Sequence, residues 1–176
     1  MALVFGVYRI KQMDTVQPIT KNCVFCTFKE SENRYFYADD LVLAFHSYKP
    51  VHPGHALIIP KRHVERFEEL TEAEVNRMMA VIKKVHNATC KVQGTSSYML
   101  WEKNGREAFQ TVPHVHFHYV PRPSGEYSSM AFACRHLIVG GFKTPLSLEV
   151  LQHEAQRMRD AMTDQHEVSV AATVPA

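Results

Sequence analysis

Cysteine is scarce in this chain, with four in 176 residues. That excludes a small disulfide-stapled scaffold, which needs a dense cysteine framework, and points to a reducing, cytoplasmic-type compartment. Charge of one sign is not concentrated anywhere either. Twenty Lys and Arg against 18 Asp and Glu leave a formal net charge of +2 with no basic run. A nucleic-acid partner therefore gets no support from bulk electrostatics. Long hydrophobic runs are missing as well. The opening residues Met1 to Arg9 are apolar, but they lack a basic start and are broken by Tyr8 and Arg9. They are expected to form neither a signal peptide nor a membrane span. No internal repeat is visible. The remaining composition, 45% hydrophobic and 22% charged, is ordinary for a soluble globular chain of one-domain size.

What stands out against this background is Gln110 to Arg122, where His114, Val115, His116, Phe117, His118, Tyr119 and Val120 follow one another. A period of two belongs to a β-strand, whose successive side chains point to opposite faces. His114, His116 and His118 then share one face, while Val115, Phe117 and Tyr119 face a core. Pro113 suits the start of such a strand and Pro121 its end. Imidazoles placed side by side repel when charged, so some are expected neutral near pH 7. Three readings fit this face: a His-rich edge strand without chemistry, a three-His metal site with an open position, or nucleophilic catalysis by one central imidazole.

Other stretches supply a frame. Arg34 to Phe45 reads as a hairpin turning at Asp39-Asp40, and Ala56 to Pro60 as a buried central strand. Between them, His46 to His55 is a loop punctuated by Pro50, Pro53 and Gly54. Thr71 to Thr89 carries the helical spacing Val75, Met78, Met79, Ile82, Val85. Thr71 with Glu74 forms its capping box, and Leu70 with Val75 its hydrophobic staple. Ser97 to Glu102 is a further strand. Thr144-Pro145 reads as N-cap and first turn of a second helix with the stripe Leu148, Leu151, Ala155, Met158, Met162. Residues 1–163 are expected to form one domain and 164–176, which lack periodicity, a disordered tail. Cys23-Val-Phe-Cys26 sets two thiols at a spacing that reaches one tetrahedral centre. By itself this is half a metal site, or two unrelated buried thiols.

The segment Asn104-Gly-Arg-Glu-Ala-Phe-Gln-Thr-Val-Pro-His-Val-His-Phe-His-Tyr-Val-Pro-Arg122 resembles the defining motif of the histidine triad (HIT) superfamily, nucleotide-binding hydrolases and transferases. The Glu107 to Val112 portion is most similar to the fragile-histidine-triad branch, which cleaves dinucleoside polyphosphates. The resemblance implies an α+β fold, with an antiparallel sheet of about five strands, a long helix packed on it and a C-terminal helix. It also implies a homodimer with its sheets edge to edge.

The same resemblance assigns roles. His116 would attack the α-phosphorus of a dinucleoside polyphosphate or nucleoside phosphoramidate to form a nucleotidyl-histidine, which water resolves to the nucleoside monophosphate. His118 would hydrogen-bond the α-phosphate, Gln110 and Thr111 would hold phosphate oxygens, and His55 would sit beside the triad. Phe25, Phe45 and Ser47 would contact the nucleoside, with Tyr48 a further candidate. Some members and the related galactose-phosphate uridylyltransferases complete a structural zinc on such a cysteine pair. The matching positions here are Cys23, Cys26, His63 and His114.

Three positions depart from the motif: Ser47 where the family has Asp or Asn, Phe109 where it has Gly, and Lys103 where it has Asn or Gln. Ser47 and Phe109 keep open a nucleotide-binding sensor or adaptor with slow turnover. Zinc-dependent hydrolysis at the triad is the third alternative.

Overall fold

In the computed structural model, residues 23–27, 34–123 and 144–171 are described, with side chains to Thr163. The expectations for residues 1–20, for most of the stretch after Arg122 and for the last residues of the tail lie outside these. Five strands form one antiparallel sheet in the order β1-β2-β3-β5-β4. They are β1 (Tyr35–Ala38), β2 (Val42–His46), β3 (Ala56–Pro60), β4 (Tyr98–Trp101) and β5 (Phe117–Pro121). Helices α1 (Glu72–Gln93) and α2 (Leu148–Ala171) cover one face.

The β1–β2 turn holds because Asp39 accepts the Leu41 and Val42 N–H groups at 2.9 and 2.8 Å. Arg77 from α1 and the Tyr37 hydroxyl donate to its other oxygen. Alternation along the strands then separates two apolar layers. Val42, Ala44, Ala56, Ile58, Val115 and Tyr119 enter the main core with Met78, Val81, Ile82 and Val85 of α1. Phe45, Leu57 and Ile59 point the other way and meet Phe25. The registers Phe45↔Leu57, Leu57↔His118 and Trp101↔His118 draw one row across four strands on that second face. The histidines therefore emerge on the side of the sheet that α1 and α2 leave uncovered.

Helix α1 starts where its box predicts: Thr71 Oγ1 accepts the Glu74 N–H at 3.2 Å, and Glu74 accepts the Thr71 N–H at 2.8 Å. It runs past Thr89 to Gln93 because nothing breaks it before Gly94, whose φ of 66° ends the helix. Glu74 is 3% exposed and is also gripped by Arg62, with contacts of 2.9 and 2.7 Å. Val75 stays outside the core, and Val81 takes the buried place.

Two boundaries differ from those expected. Helix α2 begins at Leu148, not at Pro145. The Leu146 N–H is taken by the Tyr48 carbonyl at 3.1 Å, and Ser147 accepts the Val150 and Leu151 N–H groups instead of Thr144. Leu148 is 44% exposed, and Ala161 joins Leu151, Ala155 and Met158 in the buried stripe. The helical backbone continues past Thr163 to Ala171, where the sequence reading placed a disordered tail. No Gly or Pro occurs between Pro145 and Pro175 to stop it.

Strand β5 begins at Phe117, three residues after His114. Pro113 has no N–H, and the Val115 N–H bonds to the Val64 carbonyl at 2.7 Å, so His114 to His116 lie ahead of the ladder while keeping their alternation. Among the described residues no helix is long and apolar enough to cross a membrane.

Candidate functional site

The approach to β5 and the strand itself carry the three histidines into two neighbouring sites. His116 and His118 line an open cleft of about 520 Å³ together with Phe25, Phe45, Ser47 and Thr111. His114 turns the other way, toward the cysteine pair.

Hydrogen bonds decide which ring nitrogen carries each proton, because a carbonyl only accepts. His116 Nδ1 lies 2.7 Å from the His114 carbonyl. Its proton is therefore on Nδ1, and Nε2 keeps a lone pair. The Val51 N–H donates to His55 Nδ1 at 3.1 Å, which puts the His55 proton on Nε2. That proton is donated to His118 Nδ1 at 2.9 Å, so a neutral His118 carries its own on Nε2. Trp101 stacks on His118 at 5.2 Å with the planes 13° apart, and His116 meets His118 edge-on at 4.9 Å.

The result is a nucleophile with a lone pair beside a ring with an N–H donor. Burial holds His116 below the usual imidazole range. The hydrogen bond to His114 pulls the other way, and the nearby Lys103 ammonium adds to the lowering. His116 is therefore poised as the neutral base form that a nucleophile requires.

The second site starts from the turn at Cys23, where the Thr27 N–H and hydroxyl both bond to the Cys23 carbonyl at 3.1 and 3.2 Å. That turn brings both thiols against the imidazoles. Cys23 Sγ is 3.5 Å and Cys26 Sγ 3.6 Å from His114 Nδ1, and Cys26 Sγ is 3.3 Å from His63 Nδ1. All four ligand atoms lie within 4.8 Å of one another. A zinc tetrahedron built from bonds of about 2.3 Å to sulfur and 2.0 Å to nitrogen has S···N edges of about 3.5 Å.

His114 Nε2 donates to the Pro60 carbonyl at 2.9 Å, which leaves Nδ1 as the lone-pair nitrogen facing the thiols. Burial pushes its pKa down to about 4, keeping it neutral as a ligand must be. The donor set fits a closed, structural zinc. Phe25, between the two cysteines, packs edge-on against His116 at 5.3 Å and Phe45 at 5.6 Å, so the turn also walls the cleft.

Most of the residues nominated from sequence meet at these two sites, but Gln110 does not. Its carbonyl accepts the Gly105 N–H at 2.7 Å and its amide donates to the Glu65 carbonyl at 2.9 Å, so both ends are spent holding the 105–110 loop. It lines a separate pocket with Arg66 and Arg106. Phe109, the departure from the family's Gly, is 77% exposed and is not a wall of the cleft.

Its backbone explains the family's glycine, since φ is 62°, a left-handed conformation costing a side-chain-bearing residue about 1–2 kcal/mol. Phe109→Gly is expected to match or exceed the parent in denaturant unfolding. Strain relief offsets the roughly 0.4–1 kcal/mol that glycine's chain entropy costs. A clear loss of stability would show that the ring packs on something.

Arg34 and Lys49 also line the cleft and were not singled out from sequence. Lys49 sits in the loop that supplied Ser47, Tyr48 and His55 as candidates, where a cation beside them was a signal available to find.

A five-stranded antiparallel sheet that presents alternating imidazoles beside a cleft defines the class. A model of the HIT domain matches residues 28–125, more than half of the chain, and the chain belongs to the HIT family. Within it, the chain is 38% identical over 112 residues to an uncharacterised HIT-like protein of Methanocaldococcus jannaschii, covering 62% of this chain and 86% of that one. It is also 38% identical over 96 residues to the asymmetrical bis(5'-nucleosyl)-tetraphosphatase of Schizosaccharomyces pombe, covering 54% of this chain and 53% of that one. Over 108 residues it is 36% identical to the adenosine 5'-monophosphoramidase of the same yeast, covering 60% and 78%. The chain thus spans only about half the length of the tetraphosphatase. A zinc-bound histidine triad protein of Mycobacterium smegmatis shares the fold, with a TM-score of 0.65 at 24% identity over 84% of this chain and 97% of that one.

Proposed function

We propose that this chain is a HIT-type nucleotide hydrolase acting on dinucleoside polyphosphates or nucleoside phosphoramidates. The observation that carries the reading is the His116 tautomer, with Nδ1 committed to the His114 carbonyl at 2.7 Å and Nε2 left with its lone pair. Nε2 attacks the α-phosphorus and forms a P–N bond, and the P–O or P–N bond to the leaving group breaks as that group takes up a proton from solvent in the open cleft. Water then attacks the nucleotidyl-histidine, releasing the nucleoside monophosphate and restoring the imidazole. His118 donates from Nε2 to a phosphate oxygen as charge develops, held in that tautomer by His55. Phe25 and Phe45 flank the base and Ser47 reaches the ribose. Thr111, Lys49 and Lys103 meet the phosphates. Gln110 supports the loop and does not touch the substrate.

The relatives named as a tetraphosphatase and a phosphoramidase support both substrate types. Incubation with diadenosine tetraphosphate and with adenosine phosphoramidate is expected to release AMP from at least one. Tight nucleotide binding with no AMP from either would favour the sensor reading.

Zinc, when bound by Cys23, Cys26, His63 and His114, supplies structure by tying the N-terminal turn to the approach to β5. A zinc hydrolase at the triad is disfavoured because His114 has both ring nitrogens engaged away from His116. The free thiols such a site needs accord with a reducing, cytoplasmic-type compartment.

A homodimer through β4 is part of the same proposal. That strand ends the sheet, and its Tyr98, Met99 and Leu100 are 42%, 40% and 38% exposed. An apolar edge strand is a ready pairing surface. Sedimentation is expected to give a dimer that Leu100→Lys splits, and a monomeric parent would reject the pairing.

A further inference from the structure

Phe109 adds nothing to the packing of the described residues. Its backbone is held at φ 62°, where a side chain is strained, yet its ring is 77% exposed. The ring joins none of the apolar clusters and meets no other ring among the described residues. Strain kept at a residue that does not pack is a mark of function.

Its place in the fold says which function. Two residues on, Thr111 lines both the triad cleft and a neighbouring pocket of about 530 Å³. Chain geometry keeps the Cα atoms of Phe109 and Thr111 within about 7 Å, so the exposed ring stands at the rim where the two spaces adjoin. The pocket is walled by the loop that carries Phe109, through Gly105, Arg106, Glu107 and Gln110, and by Glu65 and Arg66.

The charges on that wall are not equivalent. Arg66 is engaged by Glu68 at 2.9 Å, and its Nη1 converges with Glu107 Oε2 beside Gly105. Glu65 lies 3.6 Å from His63 Nε2. Arg106 is exposed and forms no ion pair among the described residues. A guanidinium left to water suits phosphate oxygens, which it can grip two at a time.

Only one of the two proposed substrate types extends this far. A nucleoside phosphoramidate ends just past the bond that breaks at His116, whereas a dinucleoside polyphosphate continues through further phosphates to a second base. We infer that Phe109 is the stacking platform for the base of the leaving nucleotide, with Arg106 on its phosphates. The chain is then fitted to dinucleoside polyphosphates. Every base has a π-face, so an exposed ring holds the second base without reading its identity. The inference rests on the cleft's proposed reading and goes beyond it by choosing between the substrates.

Affinity measurements isolate the second base. In the full chain carrying His116→Ala, diadenosine tetraphosphate is compared with adenosine 5'-tetraphosphate, which has the same number of phosphates but one base. Adding Phe109→Gly is expected to weaken the first about ten-fold, the scale of one base stacked on one ring. Adenosine tetraphosphate and AMP should change by less than about two-fold, and AMP also serves as the control for folding. Phe109→Tyr should keep the affinity for diadenosine tetraphosphate. Phe109→Leu, apolar but without a π-face, should lose it as glycine does. The inference is overturned if Phe109→Gly leaves diadenosine tetraphosphate binding unchanged, if both tetraphosphates weaken alike, or if leucine serves as well as phenylalanine. Should the parent bind diadenosine tetraphosphate yet release no AMP, the proposed hydrolysis fails, and the affinity comparison still decides the role of Phe109.

Discussion

His116→Ala is expected to reduce turnover on the order of 10⁴-fold or more, as removal of a covalent nucleophile does. AMP should still bind, because the cleft is built from Phe25, Phe45, Ser47 and Thr111 as well. The physical basis is specific to one nitrogen. The His114 carbonyl holds the proton on Nδ1 at 2.7 Å, so Nε2 attacks without first losing a proton. Acid-free quenching of the parent during turnover should trap a nucleotide on His116, visible as a mass increase of the tryptic peptide that contains it. His118→Ala is expected to be impaired but to label, since that ring donates to phosphate and does not attack it. Turnover by His116→Ala within ten-fold of the parent would remove the nucleotidyl-histidine route altogether.

The metal site carries the second large effect. Protein purified without chelator is expected to hold about one zinc per chain, the count set by one closed four-ligand site. Cys23→Ser should lower the melting temperature by on the order of 10 °C, because structural metal binding is folding free energy. Among the described residues, the turn that bears Cys23 and Cys26 is held by the two imidazoles and by Phe25 against Phe45 and His116, so losing the metal should loosen it. Phe25 would go with it, widening the cleft beside His116. Nucleotide affinity should therefore fall along with stability, while chemistry survives in whatever fraction stays folded. Metal analysis finding no zinc would leave His114 free to serve the triad, and the assignment of Cys23 and Cys26 as ligands would be withdrawn.

Much of this was written in short-range patterns. Alternation at His114 to Val120 separated the imidazoles from Val115 and Tyr119, which enter the core, and from Phe117, which packs against it, although His114 faces the cysteines while His116 and His118 line the cleft. Thr71 and Glu74 marked the start of α1 within one turn, and the apolar run Ala56 to Pro60 is buried along its whole length. Such signals are legible because a strand or a helix face repeats every few residues, so its evidence is local. Cys23 and Cys26 were legible as half a metal site for the same reason, their partners only through the likeness of motif.

The rest depended on contacts between residues far apart in the chain. Gln110 was expected to hold phosphate oxygens, and only the fold shows its amide donating to the Glu65 carbonyl, 45 residues away. Phe109 was visible as a departure, but its φ of 62° is set by a loop that closes through Gly105 and Arg106. The start of α2 moved because the Tyr48 carbonyl takes the Leu146 N–H. Above all, periodicity places a histidine on a face but cannot say which nitrogen carries its proton. Pro60, 54 residues from His114, and His55, 63 residues from His118, make that choice through single hydrogen bonds. The sequence determined which side chains would stand together, while only the folded chain decided what each could do, because tautomer and ligand geometry are properties of the partner and not of the residue.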